Sequence, residues 1–137
     1  MALEKDLTRL LAEARTIAVV GCSPKPDRDS HRVAAYLVSA GYRVIPVNPV
    51  ADEILGLRVY PDLASIPSEV VIDIVDVFRS TEHVPGVVDA ALARGAGALW
   101  LQLGCGHPES ERRAADAGLQ VVSNRCIKVE HQARFGT

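Results

Sequence analysis

Two rhythms of apolar residues alternate along this chain. Leu3, Leu7, Leu10, Leu11 and Ala14 recur at three- and four-residue spacing, which predicts an opening amphipathic helix packed on the domain. Thr16 to Gly21 is a short, nearly continuous apolar run, the pattern of a strand buried on both faces. Ser30 to Ala40 returns to helical spacing, with Val33, Ala34, Leu37 and Val38 on one face. Its N-cap is expected near Asp29 or Ser30 and its stop at Gly41.

The alternation continues to the end of the chain. Arg43 to Val47 reads as a second short strand, and the proline inside it suits a strand end. Val50 to Tyr60 reads as a loop turning at Gly56, followed by a short segment at Asp62 to Ile66. Val70 to Phe78 is the third strand, Thr81 to Arg94 a helix, Ala98 to Leu103 the fourth strand, Pro108 to Ala117 a helix and Leu119 to Val122 the fifth strand. Strands and helices in this order predict an α/β fold, a three-layer, Rossmann-like, doubly wound and mainly parallel sheet of five strands. The 137 residues suffice for one domain spanning 1–137, with the helix of residues 1–15 packed on it.

In such a sheet the ligand lies beyond the C-terminal strand ends, where the strand order reverses. The segments expected at that edge are Gly21 to Ser30, Val47 to Pro49, Val77 to Ser80, Gln102 to His107 and Ser123 to Cys126. Composition narrows what they would bind. A net charge of −2 gives no broad basic field for nucleic acid or a membrane surface, so anion recognition falls to a local cluster: Lys25, Arg28 and Arg79. The apolar run around Val70 to Val77 is broken by Asp73 and Asp76 and is far too short to span a bilayer. The N-terminal acids Glu4 and Asp6 argue against a secretory leader, so a cytoplasmic location is expected. Three cysteines, odd in number and without a C-x-x-C pair, are expected to be reduced thiols.

The first loop has Gly21 but lacks the further glycines that let a dinucleotide's pyrophosphate approach bare backbone. It carries Ser23, Lys25, Arg28 and Ser30 instead, so anion binding would use side chains as well as the following helix N-terminus. No Walker A loop can be read anywhere. Val47, Asn48 and Pro49 stand where an NAD site places a ribose-binding acid, and a neutral site there tolerates an additional phosphate. Charged loops are ordinarily solvated surface, yet Arg79, ending the third strand at the same edge, argues for a ligand. The combination fits a phosphorylated adenosine such as coenzyme A better than NAD.

Five blocks, V-V-G-C-S-P-K-P-D-R-D-S, G-Y-R-V-I-P-V-N-P, D-I-V-D-V-F-R, L-W-L-Q-L-G-C and S-N-R-C-I-K-V-E-H, resemble in order and spacing the small stand-alone CoA-binding protein family. That family is itself similar to the N-terminal domain of the succinyl-CoA synthetase α-subunit and of NDP-forming acyl-CoA synthetases. The resemblance implies that CoA or acyl-CoA is held at the sheet edge by a non-catalytic or regulatory module. Gly21, Cys22, Ser23, Lys25, Arg28 and Ser30 would form the phosphate loop, with no role carried over for the Cys22 thiol. Val47, Asn48 and Pro49 would meet the ribose or adenine, and Val77, Phe78 and Arg79 would form the opposite wall.

Gln102 is a further candidate, for the pantetheine arm or a bound acyl group. The competing reading is an enzyme, NAD(P)-linked or acyl-CoA-dependent, acting with a partner. A homo-oligomer or partner enzyme is compatible with the residues but demanded by none of them. Cys105 and His107 reach the ligand edge, though no acid can be named to orient the histidine, so no catalytic residue is assigned. His31 and His83 are expected on the surface and His131 near an exposed tail. A mixed disulfide between a protein thiol and the CoA thiol is one hypothesis for Cys22, Cys105 or Cys126. A zinc site from two cysteines and His107 is a weaker one, and no metal ligand is assigned.

Overall fold

The computed structural model describes residues 2–136, so the outermost positions of the expected domain, 1 and 137, lie outside the described residues. Helix α1 (Ala2–Glu13) leads into β1 (Thr16–Val20), α2 (Asp29–Ser39) and β2 (Arg43–Val47). Two short strands follow, β3 (Glu53–Ile54) and β4 (Leu57–Arg58), and a 3₁₀ turn at Leu63–Ser65. The second half runs β5 (Ile74–Val77), a 3₁₀ turn at Thr81–His83, α3 (Val84–Arg94), β6 (Ala98–Leu101), α4 (Pro108–Asp116), β7 (Gln120–Ser123) and α5 (Ile127–Phe135).

β2, β1, β5, β6 and β7 form one parallel sheet in that spatial order. The order reverses between β1 and β5, because the chain winds from β1 outward to β2 and then crosses back to lay β5 on the other side. The loops leaving β1 and β5 therefore diverge and open a crevice. Val84, Val88 and Ala91 of α3 and Ala114 of α4 pack on one face of the sheet. Leu7 and Leu11 of α1, Val33, Ala34 and Leu37 of α2 and Ile127 of α5 cover the other. This is the expected three-layer, doubly wound arrangement.

Several elements differ from the sequence expectation. The 50–60 loop is a β-hairpin, and both residues of its turn, Leu55 and Gly56, have positive φ (56° and 72°), the twist a two-residue hairpin turn requires. Pro46 lies inside β2 because β2 is an edge strand: the proline's carbonyl accepts the Tyr60 amide, and its absent N–H breaks no ladder. β5 begins only at Ile74, since Asp73 Oδ2 accepts the amides of Arg15 and Thr16 at 2.9 Å each and pins the entry to β1. The long helix expected from Thr81 starts as a 3₁₀ turn, with α3 proper opening at Val84, where Pro85 suits a first-turn position. β6 stops at Leu101 and β7 is shifted by one residue to Gln120–Ser123.

The expected exposed tail is helix α5. Arg134 holds it to α1 by pairing with Glu4, and within α5 it pairs with Glu130 at 2.7 Å. Arg125 reaches the same Glu130 at 3.2 Å, and its carbonyl accepts the Trp100 indole N–H at 2.8 Å. His131 is half-buried in this region, its Nδ1 2.6 Å from the Tyr36 hydroxyl.

Candidate functional site

Val20 ends β1 and the chain turns at Gly21 with φ +84°. A Cβ placed on Gly21 would lie 2.2 Å from the Phe78 carbonyl oxygen, so only glycine lets the β1 and β5 exits pass this closely. The Gly21 and Cys22 amides both donate to the Val47 carbonyl, at 3.0 and 3.3 Å, which ties the loop to the end of β2 as well. Gly21 is thus where all three strand ends meet.

Two clefts open on either side of it. The first, of about 530 Å³, is lined by Gly21, Ser23, Lys25, Arg28, Ser30 and Phe78, together with Asp27 and Asp29. The second, of about 290 Å³, is mostly apolar, with Val20, Val47, Pro49, Leu63 and Val87 in its walls and Arg79 and His83 at its rim. A larger hollow of about 920 Å³ lies at the other end of the sheet, around Arg15, Tyr42 and Arg43. It contains none of the strand-exit loops at the switch point, where this topology gathers ligand-binding side chains.

The polar cleft is built from within its own loop. Ser30, expected to face a phosphate or cap α2, instead accepts the Ser23 amide at 2.9 Å and is buried. Ser23 Oγ accepts the Lys25 amide at 3.1 Å, and His31 Nδ1 lies 3.0 Å from the Ser23 carbonyl, which requires that nitrogen to carry the hydrogen. His31 is therefore half-buried and fixes the loop, a role that its early-helix position did not disclose. The N-cap of α2 is Arg28, whose side chain makes no capping bond. The first amides of α2 are thus left without a side-chain acceptor at the cleft, the arrangement that favours an anion.

Lys25, Arg28 and Arg79 have no carboxylate partner among the described residues; the nearby Asp29 pairs with Arg32. The structure thus brings Gly21, Ser23, Lys25, Arg28, Ser30, Val47, Pro49, Phe78 and Arg79 around the two clefts. Other expected contacts are engaged elsewhere. Asn48 donates Nδ2 to the Cys22 carbonyl at 2.9 Å and accepts the Val50 and Ala51 amides at 2.8 and 3.0 Å, so it shapes the loop and retains one free amide hydrogen. Val77 is fully buried in the core beneath α3. Gln102 is 4% exposed, and its Oε1 accepts the Ile127 amide at the start of α5.

The thiols occupy different environments. Cys22 is 0% exposed, and burial, reinforced by the charge of Asp76, pushes its thiol up to about 12. That removes it as the reactive thiol of the mixed-disulfide hypothesis, because the attacking species is the thiolate. Burial also raises Cys105, the Arg79 amide partly offsets this, and Asp76 adds to the rise. His107, the other chemical candidate, caps α4: its Nδ1 accepts the Ser110 amide at 3.2 Å while its own amide donates to Glu111 at 2.8 Å. A capping box of this kind makes His107 a helix terminus rather than a partner for Cys105. No cluster of three or more metal-ligating side chains exists among the described residues. None of their helices is long and apolar enough to cross a membrane.

The parallel sheet, the reversed strand order and the cation-lined crevice define a Rossmann-like domain of the ligand-binding α/β class. Residues 15–132 match the family described as the CoA binding domain, and the chain belongs to that family. It is 40% identical over 126 residues to YneT of Bacillus subtilis, itself uncharacterised, covering 92% of both chains. A solved hypothetical protein from Pyrococcus horikoshii superposes with a TM-score of 0.93 at 38% identity, over 97% of this chain and 92% of the other. The dinucleotide-forming acetyl-coenzyme A synthetase 1 of Ca. Korarchaeum cryptofilum is similar at 30% identity and a TM-score of 0.69, over 77% of this chain but only 25% of the synthetase.

Proposed function

We propose that this protein binds coenzyme A or acyl-CoA at the C-terminal edge of its sheet, as one cytoplasmic CoA-binding domain that serves a non-catalytic or regulatory role. The observation that carries the reading is the grouping of Lys25, Arg28 and Arg79, without carboxylate partners among the described residues, around the Gly21 crossing. CoA combines a phosphorylated ribose and a diphosphate with an adenine and a long pantetheine arm. A polar cleft with uncapped helix amides suits the first part, and an adjoining apolar cleft suits the second. Membership of the CoA-binding family supports the same ligand.

The residues around the crevice favour binding over chemistry. His107 and Gln102 are taken up by helix termini, and Cys22 lacks an accessible thiol. Calorimetric titration with CoA, 3′-dephospho-CoA and NAD tests the reading. CoA is expected to bind most tightly, dephospho-CoA more weakly because a charge-assisted contact is lost, and NAD least. Binding of NAD without binding of CoA would overturn it.

A further inference from the structure

Asp76 lies inside β5 at 0% exposure, in register with Val19 of β1 and Trp100 of β6. Register partners in a parallel sheet point to the same face, here the one covered by α1, α2 and α5. Neither carboxyl oxygen has a hydrogen-bond partner, and no cation pairs with the group among the described residues. An ionised carboxylate without partners in such a place is strongly disfavoured against the neutral acid. Burial accordingly raises its pKa well above the usual carboxylate range.

The ionisable groups around it are few. Cys22, from the loop after β1, and Cys105, from the loop after β6, both feel its charge, and Cys126 packs against the same cluster ahead of α5. The helices present apolar residues to this face: Leu7 and Leu11 of α1, Val33 and Ala34 of α2, Ile127 of α5. Phe78, two residues beyond Asp76 and on the same face, lines the polar cleft with Ser23, Lys25 and Arg28. An unpartnered carboxyl therefore stands on the same sheet face as Phe78, two residues before the position that lines the polar cleft.

We infer that Asp76 is a positioning residue for phosphate capture: as a neutral acid it leaves the positive field of the Gly21 loop intact, and its ionisation opposes the bound phosphates. The inference rests on the CoA reading above. By linkage, phosphates in the loop strengthen Asp76's hold on its proton by the same factor by which that proton strengthens phosphate binding. Affinity stays level while Asp76 keeps its proton in the free protein and declines at higher pH. The total loss approaches about tenfold for each unit by which the ligand raises the Asp76 pKa.

The test first locates the Asp76 ionisation in the free parent by NMR of its carboxyl carbon, then titrates adenosine 3′,5′-bisphosphate, which carries phosphates but no thiol, calorimetrically across that pH range into the parent and Asp76→Asn. Asparagine keeps the shape of the neutral acid and has no proton to lose, while the ligand's own titration is common to both proteins. The expected result is agreement at the low end and a steeper decline toward high pH in the parent than in the variant. Superposed profiles would overturn the inference and leave the CoA reading standing. Failure of the parent to bind either the bisphosphate or CoA at any pH would sink the CoA reading, and this inference with it. Should the variant not fold, the Asp76 carboxyl carbon of the parent is followed by NMR with and without the bisphosphate. A higher pKa in the complex supports the coupling, and an unchanged one refutes it.

Discussion

Gly21 and Phe78 approach so closely that a single added carbon on Gly21 would sit 2.2 Å from the Phe78 carbonyl oxygen. This crossing holds the exits of β1 and β5 together at the point where the sheet reverses, and both clefts open from it. Neither residue offers chemistry of its own. Their contact decides where Lys25, Arg28 and Arg79 stand.

Gly21→Ala must relieve both the clash and a left-handed backbone, at a cost of about 2 to 4 kcal/mol in urea unfolding. CoA affinity should fall with it, because relief of the clash parts the two loops. Gly86→Ala, in α3, meets nothing within 4 Å and is expected to stabilise by about 0.5 to 1 kcal/mol. Equal effects for the two substitutions would contradict the role given to the crossing.

Lys25→Ala, Arg28→Ala and Arg79→Ala are each expected to weaken CoA by about 1.5 to 3 kcal/mol, the loss of one charge-assisted contact. Uncharged pantetheine should be affected far less. Lys25 and Arg28 are exposed, so their contribution should shrink with added salt, whereas half-buried Arg79 should be less sensitive. Calorimetry at two salt concentrations reads both effects.

Asp76 also predicts the pH dependence of stability. Its folded pKa lies above the ordinary value of 3.8, so the native state carries a proton that the unfolded chain releases. The resulting stability is fully present below about pH 3.8 and is lost as pH rises toward the folded pKa, by up to about 1.4 kcal/mol per pH unit. Asp76→Asn should remove that slope and raise stability at neutral pH. Denaturant unfolding at several pH values checks it, and a slope unchanged by the substitution would mean that Asp76 does not hold a proton.

The thiols should separate on alkylation. At about pH 8, Cys105 and Cys126, which are half-buried, react with iodoacetamide before Cys22, whose thiol is buried and raised to about 12. Denaturant should erase the difference. The raised Cys22 pKa adds stability below its ordinary value of 9.0 that disappears as pH climbs toward about 12. Peptide mapping after timed labelling would detect early modification at Cys22.

The strand–helix alternation, and with it the parallel sheet, was readable from periodicity because burial on one or two faces leaves a regular mark in sequence. So were Gly21, Lys25, Arg28, Arg79 and Pro49 as residues of one edge, since topology sends every loop after a strand to the same side. The hairpin at Glu53–Arg58 was not, because two-residue strands are too short for a period to show. Helix α5 was missed for a related reason: within it only Ile127 is fully buried, and much of its anchorage comes from the ion pairs of Glu130 and Arg134 with α1 and Arg125.

What the chain by itself determined was the order of elements and the types of side chain that reach the C-terminal edge of the sheet. Which of those side chains remain free there was decided only by tertiary structure. Ser30, Asn48, Gln102 and His107 have the right chemistry for a ligand, but each satisfies a backbone amide brought to it by folding. Asp76 is the converse, a charged residue type in an apolar strand whose lack of any partner appears only once β1, β6 and the helices close over it. Local pattern records burial and turn propensity, whereas hydrogen-bond satisfaction depends on groups distant in sequence and is settled by packing.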